Sequence, residues 1–193
     1  MFQKTSTLSF PIALPKKISV ITFVGLSFLS FSIPFFLGHP QWLVGTLVNA
    51  CLFLTAIFLP KKFIFPLIIF PGLGVLSRGL IFGPLTMFLV YFLPFIWLSN
   101  LALIFAFKKL FSRLNYLPRI FFASIIKFLF LFTIANVYFK LSIVPQVFTQ
   151  LMGVSQLVTA LGGGVISLII LISMKNIVSK MGEDKKGVDS NFA

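Results

Sequence analysis

Two basic side chains stand inside long apolar runs: Arg78 in GVLSRGLIFGPLT and Lys127 in FFASIIKFLFLF. A guanidinium presents a rigid fork of donors to a carboxylate, phosphate or carbonyl group. An ammonium presents a point charge with three donors. Neither has an acidic partner nearby, because the first carboxylate in the chain is Glu183. Glu183, Asp184 and Asp189 all lie in the polar C-terminal segment. Carboxylate acid/base pairs, carboxylate proton relays and oxygen-ligand metal cages all need residues that the apolar body lacks. Cys51 and His39 are the lone cysteine and histidine, too few for an iron–sulfur cluster or an intrachain disulfide. The chemistry to expect is therefore binding rather than catalysis, with no cofactor and no metal.

Arg78 is bracketed by Gly74, Gly79 and Gly83, which let other groups approach the backbone. It stands about four residues, or roughly 6 Å of helix rise, from the nearer end of its apolar run. It either snorkels to the interface or points inward to fix an anionic or carbonyl group. Lys127 lies about eight residues, or roughly 12 Å, beyond Arg119, near mid-membrane, where snorkelling is strained. It is either uncharged or paired with a ligand anion or a polar network. Uncharged polar residues extend the candidate set: Gln41 and Asn49 in QWLVGTLVNACLF, Thr86 after Gly83 and Pro84, and Asn100 one turn after Trp97. Thr46 and Asn49, three apart, share a helix face. Asn136 and Gln156 are weaker members of the group. Each of these either lines a cavity or hydrogen-bonds a neighbouring helix.

The elements that must position these residues follow from hydropathy. Apolar residues make up 59% of 193, mean hydropathy is +1.09 and 27 residues are Phe, more apolar surface than a soluble domain of this length can bury. Six runs are long enough to cross a hydrocarbon core: residues 18–37, 42–59, 63–82, 85–107, 120–139 and 155–174. An all-α, six-helix membrane domain over 18–174 follows, with a segment 1–17 before it and a polar, unstructured tail 175–193 after it. Thirteen of the 16 basic residues fall at the ends shared by the two termini and the second and fourth loops, and only Arg78, Lys127 and Lys140 do not. The positive-inside rule then puts both termini in the cytoplasm and the protein in the cytoplasmic (inner) membrane. The same distribution argues against nucleic acid, which needs a continuous basic surface, and for contacts with membrane lipids. Lys16 and Lys17 precede a run too long for the h-region of a cleavable signal peptide.

Two segments read as irregular. The third span carries Pro66, Pro71, Gly72, Gly74 and Gly79, which predicts a kinked or broken helix. Between the fifth and sixth spans, LSIVPQVFTQLMG predicts a short re-entrant or interfacial segment. Small residues at Ala102 and Ala106, and at Ala160 with Gly162, Gly163 and Gly164, mark close helix contacts.

Six short spans with QWLVGTLVNACLFLTA in the second and LSRGLIFGPLTMFLVYFLPFIWLSN across the third and fourth resemble the substrate-binding S components of energy-coupling factor (ECF) transporters. The shared elements are a Q-x3-G-x2-VNA pattern on Gln41, Gly45, Val48, Asn49 and Ala50, and an RG-x3-GP-x-T pattern on Arg78, Gly79, Gly83, Pro84 and Thr86. They cover residues from about 38 to 135. The resemblance implies a pocket toward the outer face, a small-molecule solute, and a separate membrane coupling subunit with two ATPases. It also implies an A-x-x-x-A docking pattern in the first helix, for which this chain offers only Gly25, Ser27 and Ser30. With no internal carboxylate, the site suits an anionic or carbonyl-rich molecule, held by Arg78, Lys127, Gln41, Asn49, Thr86, Trp97 and Asn100. The competing expectation is a membrane scaffold or assembly subunit whose polar residues only pack helices.

Overall fold

The computed structural model describes the backbone of residues 14–82 and 86–190 and the side chains of residues 14–79 and 88–174. Helices α1 (Lys16–Ser32), α2 (Gln41–Phe58), α3 (Ile64–Phe82), α4 (Thr86–Phe105) and α5 (Tyr116–Lys140) are followed by a short α6 (Val147–Leu151) and a long α7 (Val154–Ser190). Among the described residues there is no strand. Six helical stretches are long and apolar enough to cross a membrane: Lys16–Leu37, Gln41–Phe58, Lys61–Gly79, Phe88–Leu110, Tyr116–Lys140 and Val147–Met174. Within lipid a helix is the natural outcome for such runs, since it satisfies every backbone group internally.

Two helices end in a wider π-helical turn: α1 continues through Ile33–Leu37 and α4 through Ala106–Leu110. The third span is one helix without a break. Pro66 falls in the first turn of α3, where no donor is needed, and only Pro71 lies inside a helix that runs through to Phe82. The segment between α5 and α7 forms α6, whose Phe148 packs with Phe92, Leu131 and Met152 in a core of its own. The α7 backbone continues past Met174 to Ser190, through the stretch read as a tail.

Helix α2 is the axis of the bundle, with an unbroken buried run from Asn49 to Leu59. That run contacts α1, α3, α4 and above all α7. The α2–α7 seam is close because its residues are small. A Cβ on Gly163 would sit 2.6 Å from the Ala50 nitrogen and 2.7 Å from the Asn49 Cβ, so only glycine fits. The Thr159 side chain meets Gly45, and Thr46 meets Gly162. This approach brings polar groups of α2 and α7 within hydrogen-bonding range at mid-bundle.

Candidate functional site

Lys127 is the twelfth residue of the 25 in α5 and is only 3% exposed. Its Nζ donates to Asn49 Oδ1 at 2.7 Å and to Asn100 Oδ1 at 2.8 Å, joining α5 to α2 and α4. Each amide is itself oriented by its NH2 group. Asn49 Nδ2 donates to the Gly45 carbonyl at 2.8 Å and to Thr159 Oγ1 at 3.3 Å. Asn100 Nδ2 donates to the Ile68 carbonyl of α3 at 3.1 Å. Both amides therefore turn their oxygens toward the ammonium. Thr159 Oγ1 completes the chain by donating to the Gln156 carbonyl at 3.2 Å. Side chains or carbonyls of five helices, α2, α3, α4, α5 and α7, thus meet at one buried point.

This centre carries a cation source with neutral partners and no carboxylate, since none precedes Glu183. Two of the three donors of an ammonium are used by the amides. One turn earlier on the same face of α5, the buried Ser124 Oγ has no hydrogen-bond partner. The arrangement offers donors to a small acceptor-bearing group.

The other candidates sit elsewhere. Arg78 lies ten residues along α3 from Ile68, about 15 Å of helix rise from the Lys127 level. Its Nη1 donates to the Phe35 carbonyl at 2.9 Å and the Phe36 carbonyl at 3.1 Å, in the π-helical turn that ends the first span. Gly38, at φ +59°, follows that turn, and a Cβ there would collide with the guanidinium. The glycine is needed both for its backbone angle and for the space Arg78 occupies. Gln41 begins α2, about 12 Å of helix rise before Asn49 and at the Arg78 end. Trp97 stands one turn before Asn100, its Nε1 buried without a partner and set against Gly72 of α3. The side chain of Thr86, with Gly83 and Pro84, lies outside the described residues. Lys127, Asn49 and Asn100 are brought together; Arg78 and Gln41 form a separate tier.

Sequence reasoning passed over two participants. Thr159 sits in VTALGGG, where the small residues mask it as a packing position. Arg119, read as one more basic loop residue, is 2% exposed. Its Nε donates to the Phe111 carbonyl at 3.1 Å and its Nη2 to those of Leu114, at 3.0 Å, and Ser112. The guanidinium also lies over the Phe107 ring, 5.4 Å from its centroid. Nearby, Lys108 Nζ donates to the Leu59 carbonyl at the C-terminal cap of α2, 2.8 Å away. The signal that marks Arg119 is its place just after a helix end rich in unsatisfied carbonyls.

No family model, no curated protein and no solved structure matches this chain, so its function is argued from the Lys127 centre itself.

Proposed function

We propose that the chain is a membrane-embedded solute-binding subunit of an uptake system, of the S-component kind, taking a small anionic or carbonyl-rich molecule. One observation carries this reading: a lysine at mid-bundle is held only by neutral amides, in a body without carboxylates. Burying an ammonium costs several kcal/mol, and leucine at 127 would pack helices at no such cost. A solute carboxylate would supply the counter-charge that the protein itself withholds, and a solute carbonyl a third acceptor beside the two amides. In this reading the subunit does no chemistry on its solute. Arg78 and Gln41 mark the entrance tier, about 12–15 Å from the Lys127 level, on the outer side. Both termini lie in the cytoplasm of an inner membrane, as the basic residues at their ends favour. A coupling subunit and ATPases would act from that cytoplasmic side.

Native mass spectrometry of the purified protein tests the reading. A retained small molecule bearing a carboxylate or several carbonyls is the expected result. A retained cation, or uptake unchanged by Lys127→Ala, overturns it.

A second reading rests on a different observation. Arg78 Nη1, and the NH2 groups of Asn49 and Asn100, each reach main-chain carbonyls, as helix-gluing groups do. A non-transport scaffold would need no more. The two separate on solute: a scaffold retains none, and its Lys127 tolerates any residue that fills the same space.

A further inference from the structure

A second site lies on the lipid side of the bundle. Between the start of α5 and the middle of α7, Leu117, Pro118, Phe121 and Phe122 face Leu161 and Val165 across a cavity of 480 Å³. Ile120 forms its floor against Gly164, where a Cβ would collide with the isoleucine. Several walls are open to the surroundings: Leu117 is 59% and Val165 47% exposed. The lining is apolar throughout, and both helices are membrane-spanning in length and composition. At this depth the natural occupant is hydrocarbon.

A turn that carries basic residues adjoins the cavity. The Phe111 ring lies 5.2 Å from that of Phe122, so the Phe111–Leu114 turn sits at the edge of the cavity. Arg119 holds that turn in place through the carbonyls of Phe111, Ser112 and Leu114. The turn and the helix end before it carry Arg113 and Lys109, both exposed. No carboxylate precedes Glu183 to compete for them. An apolar slot beside a turn that carries exposed cations, Lys109 with its Nζ 5.5 Å from the Phe105 ring centroid, complements a molecule with a hydrocarbon chain and an anionic head.

We propose that the α5–α7 cavity binds an acyl chain of one anionic phospholipid whose phosphate is met by Arg113 and Lys109. Exposed basic residues at a membrane surface favour anionic lipid, and the cavity fixes one such lipid in place rather than leaving it in exchange with the bulk. Arg119 is a positioning residue here, since its Nε and Nη2 donate to the turn. The site is independent of any solute at Lys127.

Native mass spectrometry of the full chain, released from detergent containing phosphatidylglycerol or phosphatidylcholine, tests the proposal. The intact protein is expected to retain one phosphatidylglycerol in preference to phosphatidylcholine by about fivefold for each basic residue engaged. Val165→Trp, which fills the cavity from an exposed position, is expected to lose that lipid. Lys109→Gln with Arg113→Gln, both on the surface and remote from the core, is expected to abolish the preference while leaving weak retention of either lipid. Equal retention of both lipids by the intact chain overturns the proposal. So does undiminished retention by Val165→Trp, or a dimer mass that Val165→Trp abolishes, which would make the cavity an interface between copies.

Discussion

The two arginines at opposite ends of the bundle and the lysine between them use their charge differently. Arg78 and Arg119 both donate to main-chain carbonyls beside a π-helical turn: Phe35 and Phe36 in one case, Phe111, Ser112 and Leu114 in the other. Helix ends carry unsatisfied carbonyls and partial negative charge, so each arginine neutralises a charge that the fold creates anyway. Lys127 meets no helix end. Its acceptors are two side-chain oxygens on different helices, and side chains can rotate away where a backbone cannot. The difference separates cations that lock the architecture from one whose partners are exchangeable.

The comparison can be broken from either side. Arg119→Ala is expected to have the largest effect on stability, on the order of 3–5 kcal/mol, because it strips three carbonyls of a buried cation. Reversible unfolding in bicelles would read it, and Arg119→Lys should recover only part, lacking the fork. Next, Asn49→Leu removes one acceptor and leaves the ammonium buried, a loss of about 2–3 kcal/mol by the same measurement. If Asn49→Leu proves neutral, the Lys127 centre is not the polar junction described. Arg78→Ala, at a half-buried clamp, should cost about 1–2 kcal/mol and show as faster hydrogen exchange over Ile33–Leu37. Smallest, Thr159→Val should cost about 0.6 kcal/mol, the usual worth of a hydrogen bond between membrane helices.

Hydropathy made the architecture legible. All six spans fall where the apolar runs place them, because lipid leaves helices as the only outcome for such stretches. Asn49, Asn100 and Lys127 were legible for the same reason, each being a polar exception in an apolar run. Their meeting was not, since it depends on the rotation of three helices. In the third span the breakers do not interrupt the helix: α3 is continuous with Pro66 in its first turn and Pro71 inside it. Arg119 was missed because, at the start of a helix, it looks like a loop charge. Only the path of the preceding turn reveals its acceptors. Arg78 drew notice as a ligand-binding candidate, yet its Nη1 donates to carbonyls of the first span, 43 and 42 residues away in sequence.

The most direct test of the distinction is Lys127→Met, which keeps the volume and length of the side chain and removes its charge. Its unfolding free energy and its retained solute would be measured together, by reversible unfolding in bicelles and by native mass spectrometry. The expected result is a loss of no more than about 1–2 kcal/mol, since the cost of burying the ammonium is relieved while the Asn49 and Asn100 oxygens lose their donor, together with complete loss of the solute. A variant that keeps the parent's solute, or one destabilised as strongly as Arg119→Ala, would contradict the account and make Lys127 a third structural clamp.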